Sequence, residues 1–205
     1  MKILNTEDLL MSTDNIVSCA FKICKSAEFP VEYEDVYDHL YGSEKSALRF
    51  LVNDYGEITG FGVAQNYNFL VNEQAMTLAY LQGMVISKDY QSKGHSRLLL
   101  GELYKCFQSD YFGLRTQNPR MARALLKFGD DITLTMPKEL IDSIRQLSPY
   151  DKVDDSGVVR GCYQNQLYPH LDELRKIKPD ITLGQTDALA VVVQPKKIKQ
   201  LVRYH

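Results

Sequence analysis

The stretch Met84-Val85-Ile86-Ser87-Lys88-Asp89-Tyr90-Gln91-Ser92-Lys93-Gly94-His95-Ser96 has the residue types and spacing best suited to chemistry. An apolar run stops at Ile86, a small polar turn with one glycine follows, and Arg97-Leu98-Leu99-Leu100 opens a helix. A strand that breaks into such a turn and then a helix presents backbone N–H groups to an anion. Gly94 permits a φ that L-residues avoid and lets a ligand approach the main chain. Consecutive N–H groups around it can form a nest, and the helix N-terminus adds about half a positive charge. Lys93 and Arg97 add full ones. Together these suit a pyrophosphate-sized anion, although an ordinary left-handed turn before a helix reads the same way. A P-loop is excluded because no GxxxxGK[ST] run exists. A dinucleotide fingerprint is excluded because the turn has one glycine and follows the third strand of the chain.

The elements that must position this turn are legible from periodicity. Residues 14–27 place Ile16, Val17, Ala20, Phe21 and Cys24 on one helical face, with Asp14 or Asn15 as N-cap. A second helix is predicted over 34–41, stopping at Gly42. Strands follow over 47–52 and 58–65 around a tight turn at 53–56, and then over 76–86, apolar enough to be central in a sheet. A helix over 96–107 leads to a strand over 111–116. Asn118 and Pro119 suit the N-cap and first position of a helix that ends at Gly129 as its C′ residue. Beyond it lie a helix over 137–147, a turn at 154–157, a strand over 188–193 and the basic tail Lys196-Lys197-Ile198-Lys199. The order predicts a mixed α/β fold of the α+β type: an antiparallel meander, then strand–helix–strand–helix, with a C-terminal insertion at 137–186. One domain over 1–205 is expected, its core about 14–129 plus the last strand.

Bulk composition bounds the function. A hydrophobic fraction of 44% supports an ordinary core, and a formal net charge of −2 supplies no field to recruit nucleic acid or a membrane. Cys19, Cys24, Cys106 and Cys162 form no CxxC pair and no metal spacing. The expectation is a cytoplasmic protein with free thiols, no bound metal, no nucleic acid partner and no membrane partner.

The pattern Gln91-x-x-Gly94-x-Ser96, set between a hydrophobic strand and a Leu-rich helix, resembles the acetyl-CoA signature [RQ]-x-x-G-x-[GA] of the GNAT superfamily of N-acetyltransferases. Asn118, with Lys127-Phe128-Gly129 in register, is similar to that family's second pattern. The resemblance covers residues 14 to about 129. It implies acetyl-CoA as co-substrate in a V-shaped cleft between the strands at 76–86 and 111–116, its pyrophosphate on the backbone of Gln91, Ser92, Lys93, Gly94, His95 and Ser96. It further implies pantetheine amides pairing with Met84, Val85 and Ile86, and Asn118 reaching the same arm. A main-chain N–H at Val85 or Ile86 would polarise the thioester, and an amine would attack it directly in a ternary complex.

The family's catalytic groups do not carry over. Ser96 replaces the usual Gly or Ala, and Met121 stands where a small residue is common. Leu125 stands where a tyrosine often protonates the departing thiolate, and Tyr80 stands where histone acetyltransferases carry a glutamate. Tyr80 and Tyr163 are the side chains left to consider, and neither is assigned a role; His39 and His170 have no partner recognisable from sequence. A non-catalytic acyl-CoA-binding module or an interaction protein on the same fold is the alternative. The acceptor, a small-molecule or peptide amine, would be read by residues 27–46, 66–75 and 137–186. Glu28, Glu32, Glu34, Asp35 and Asp38 there suit a cationic amine or form a solvated face. A homodimer is left open.

Overall fold

In the computed structural model, which describes residues 1–42, 46–129, 136–164, 166–169 and 171–195, the helix expected first is α1, Thr13–Ser26. Its N-cap is Ser12, not Asp14 or Asn15: the Ser12 hydroxyl accepts from the Asn15 N–H at 3.4 Å, which leaves Asp14 in the first turn to favour the dipole. Helix α2, Tyr33–Tyr41, ends at Gly42 as expected and starts with a capping box, in which the Asp35 carboxylate accepts from the Glu32 N–H at 3.0 Å. Glu32 and Asp35 therefore cap a helix rather than wait for a cation.

The strands are β1 (Lys2–Leu4), β2 (Ser46–Val52), β3 (Ile58–Val71), β4 (Gln74–Ile86), β5 (Tyr111–Thr116), β6 (Val158–Val159) and β7 (Ala188–Val193). Between them stand α3 (His95–Phe107), α4 (Pro119–Leu126), α5 (Lys138–Ile144) and α6 (Asp172–Arg175). Their hydrogen-bonded order is β1-β2-β3-β4-β5-β7-β6. The β4–β5 pair is parallel, and the β1–β2, β2–β3, β5–β7 and β6–β7 pairs are antiparallel. This is the expected mixed α/β class.

Two local expectations change. Residues 66–75 are not a loop: β3 and β4 continue to a tight turn in which Asn72 and Glu73 both take positive φ, 48° and 65°. The extension is driven by alternation, since Tyr67, Phe69 and Val71 all pack into one core while Asn68 and Leu70 stay exposed. Gly129 is no left-handed C′ residue. Helix α4 closes at Leu126, and Gly129 forms an isolated bridge with Pro195 instead. The short strands β1 and β6 have too few residues to show a period. The tail at 196–199 and His170 lie outside the described residues.

The chain divides into two compact units, Met1–Asn66 with Leu81–Gln108, and Tyr67–Tyr80 with Ser109–His205. In the first, α1 and α2 bury Ile16, Val17, Ala20, Val36 and Leu40 against Phe50, Phe61 and Val63 of β2 and β3. In the second, Phe69, Leu78, Tyr80 and Tyr111 pack with Leu140, Ile141, Ile144, Tyr150 and Val159. Half of that core comes from residues 137–186, which read from sequence as an appendage.

Two polar devices fasten this segment. Buried Gln117 donates through Nε2 to the carbonyls of Gln185 and Asp187 at 2.7 and 2.9 Å, and its Oε1 accepts from Leu167 N–H at 2.7 Å. Arg160 bridges Asp154 and Asp187, both at 2.6 Å. Burial would raise the Asp187 carboxyl, but N–H donors at Gly161 and Gly184 and the Arg160 guanidinium outweigh it and hold the group below its usual 3.8. The unfolded chain thus binds that proton first. The cluster's full contribution is present above about pH 4 and is lost as pH falls through the lower folded value. Equilibrium unfolding of Asp187→Asn should show a flatter decline of stability on this acid limb than the parent protein.

At Gly113 of β5, a Cβ would lie 2.6 Å from the Tyr150 hydroxyl oxygen. That hydroxyl is fully buried and has no hydrogen-bond partner among the described residues. Gly113→Ala should therefore cost about 1–3 kcal/mol in urea unfolding. Tyr150→Phe should restore most of that loss and by itself be neutral or stabilising by about 1 kcal/mol, because it removes an unpaired buried hydroxyl.

Candidate functional site

In the first unit the main chain of β4 faces two ways. The Ser87 N–H donates to the Thr59 carbonyl at 2.9 Å. The carbonyl oxygens of Val85 and Gly83 lie 3.0 and 3.8 Å from where Cβ atoms on Gly60 and Gly62 would sit. Val85 and Gly83 therefore turn to β3. By the alternation of an antiparallel ladder, Gln82, Met84 and Ile86 present their N–H and C=O groups to the opposite edge. Gln91 Nε2 donates to the Ile86 carbonyl at 2.9 Å, and His39 Nε2 bonds the Gln82 carbonyl at 3.0 Å. The Met84 peptide lies between these two capped carbonyls.

His39 is the group that sequence reasoning left without a partner. A carbonyl can only accept, so Nε2 carries the proton and Nδ1 is left as the basic nitrogen of an exposed ring. A Cβ on Gly83 would meet the imidazole at 3.0 Å, so glycine is what allows the ring to lie on the strand. The available signal was the unexplained glycine inside an apolar strand.

After Ile86 a 3₁₀ turn, Lys88–Tyr90, leads to Ser92 at φ 62° and Gly94 at φ 80°. Gly94 is the N-cap of α3, and its carbonyl accepts from the Arg97 N–H at 3.0 Å. Among the described residues, the N–H groups of Ser92, Lys93, Gly94, His95 and Ser96 donate to no carbonyl and no side chain. Gln91 to Gly94 are exposed, and His95 and Ser96 half-buried. The His95 side chain is turned inward: Nδ1 donates to the Tyr90 carbonyl at 3.1 Å. Tyr90 in turn accepts from Asn53 Nδ2 at 3.1 Å, and Lys93 Nζ lies 5.3 Å from the Tyr90 ring centre. These contacts brace the turn and leave its main chain to meet a ligand.

In the second unit Asn118 caps α4, its Oδ1 accepting from the Arg120 N–H at 2.9 Å. Tyr80 is buried edge-on against Tyr67 and Tyr150, with ring centres 6.2 and 5.4 Å away. Burial pushes its phenol far above the ordinary range, and Arg115 offsets only part of this. The Tyr163 hydroxyl reaches the Arg115 carbonyl at 3.5 Å, and burial pushes it up to about 12. Near neutral pH both are protonated hydroxyls, able to donate and unable to act as bases. Leu125 is fully buried and places no polar group at its position. Among the described residues, no cluster of three or more His, Cys, Asp or Glu could hold a metal, and no helix is long and apolar enough to cross a membrane.

Residues 14–129, more than half of the chain, match the model of the acetyltransferase (GNAT) family, and the chain belongs to that family. Among solved structures it is similar to Naa20 of Chaetomium thermophilum in complex with a bisubstrate analogue, at 11% identity over 100% of this chain and 91% of that one, TM-score 0.54. It is also similar to the ribosomal-protein-S18-alanine N-acetyltransferase of Escherichia coli, at 18% identity over 96% of this chain and 94% of that one, TM-score 0.50. At these identities the likeness is one of fold. No curated protein matches the sequence significantly. Family and fold together indicate acetyl transfer.

The turn itself makes a prediction. A Cβ at Gly94 would meet nothing within 4 Å, so the cost of Gly94→Ala is conformational alone. It should be about 1–2 kcal/mol in urea unfolding, with Gly94→Asn closer to the parent because asparagine tolerates left-handed φ.

Proposed function

We propose that the chain transfers an acetyl group from acetyl-CoA to a primary amine by direct attack within a ternary complex. The observation that carries this reading is the run of N–H groups from Ser92 to Ser96, uncommitted among the described residues and gathered at the N-terminus of α3. Such a run fits a diphosphate. Met84 offers the main-chain edge on which an extended pantetheine arm can pair as an added strand. Of the two N–H groups considered for the thioester oxygen, the reading takes Ile86, because Val85 turns to β3.

Direct attack is supported by the thiols. Burial raises Cys24 to about 11 and also raises Cys106 and Cys162, so none of the three is an activated nucleophile for an acyl-enzyme. The attacking amine must first lose a proton. His39, whose Nδ1 has no partner among the described residues and whose ring is fixed on β4 beside Gly83, is the proton acceptor this reading assigns.

The decisive assay follows free CoA with a thiol reagent. Release from acetyl-CoA should require an amine, and the kinetics should be sequential. Tight CoA binding with no release across a broad amine panel would select the non-catalytic alternative, which fully buried Leu125 favours. Gly94→Trp should weaken CoA at least about 10-fold in calorimetry, the equivalent of one lost charged hydrogen bond. His39→Gln can still donate to Gln82 but lacks a basic nitrogen; it should lower kcat about 100-fold and leave CoA affinity unchanged.

A further inference from the structure

Arg115 stands on β5 two residues beyond Gly113, which is paired with Tyr80 of β4 and Val192 of β7. By strand alternation Arg115 shares the face on which Tyr150 rests against Gly113. Its guanidinium donates to the Pro149 carbonyl at 3.2 Å, and among the described residues its side chain makes no other hydrogen bond. No carboxylate of a described residue lies within ion-pair distance of it either; Arg120 of this unit is likewise unpaired among the described residues, but it is exposed, whereas Arg115 is half-buried. In the same unit Arg123 pairs with Glu173, Arg145 with Asp142 and Asp155, Arg160 with Asp154 and Asp187, and Arg175 with Asp172. Arg115 is half-buried, and the groups it faces are Tyr80, Cys162, Tyr163 and Tyr150. All four are kept protonated by burial, so none supplies a negative charge.

A guanidinium withdrawn from water without a counter-charge is costly, and a planar fork of N–H donors matches a carboxylate in shape.

We infer that Arg115 is the centre of a carboxylate-binding subsite, lined by Tyr80 and Tyr163, that selects acceptor amines carrying a carboxylate. The selection of acceptors rests on the acetyl-transfer reading above; the anion site does not. A carboxylate can come from a free amino acid or from an acidic side chain in a peptide, and the test separates these. Acetyl transfer is compared for glutamate against glutamic acid bis-amide, and for C-terminally amidated peptides with Glu or Gln at the second position. One of the two pairs should show at least about a 10-fold preference in kcat/KM for the carboxylate, a size expected for a charged hydrogen bond. Arg115→Gln should abolish that preference while leaving CoA affinity and the rate with the uncharged member unchanged, and Arg115→Lys should retain part of it. Equal rates within both pairs, or an Arg115→Gln variant that lowers both members alike, would overturn the inference.

If no amine is acetylated, the acetyl-transfer reading fails separately. The subsite is then judged on the Arg115 Nε–H NMR signal, assigned by its loss in Arg115→Gln. A saturable shift with glutamate but not with its bis-amide sustains the anion site, and an unmoved signal removes it.

Discussion

A β-strand has two hydrogen-bonding edges, and the use made of the second edge of β4 governs how the first unit is read. One edge is committed to β3 through Gly83, Val85 and Ser87. Simple alternation then fixes Gln82, Met84 and Ile86 as the residues whose peptides turn outward. The protein covers the outer two of these with side chains, His39 from α2 and Gln91 from the turn. Neither contact is strong by itself. Their value is positional, because together they frame one peptide and set the imidazole and the turn at known steps along the same rail.

The turn after β4 obeys the same economy. Two left-handed residues, Ser92 and Gly94, keep successive N–H groups from folding back onto the preceding carbonyls. Groups nearby hold one another: the His95 ring to the Tyr90 carbonyl, the Tyr90 hydroxyl to Asn53, and Lys88 to Glu28. An anion site built from main chain needs such scaffolding, since peptides have no rotamers with which to adjust.

What could be read beforehand followed the range of the forces involved. The helices and strands around the turn were legible because their periodicity is local, as were the left-handed Gly94 and the Asn118 cap, each set by a residue's own backbone preference. Hidden were the contacts of long sequence separation. His39 meets Gln82 across 43 residues, and Gln117 holds Gln185 across 68. The true extent of the β3–β4 hairpin was masked by the polar alternation Asn66-Tyr67-Asn68, which imitates a loop. The half-buried arginine on β5 was invisible for a similar reason: a strand pattern shows which side a residue faces, not whether a carboxylate waits there.

The fit between Gly113 and Tyr150 has an evolutionary consequence. Two positions 37 residues apart in sequence occupy one volume, so the size of either side chain is decided by the other. Among descendants of this sequence the two should drift as a couple, a bulkier residue arriving on the strand only after the ring opposite has shrunk or withdrawn. Covariation at that pair would mark lineages in which the segment around residue 150 has kept its seat on the sheet.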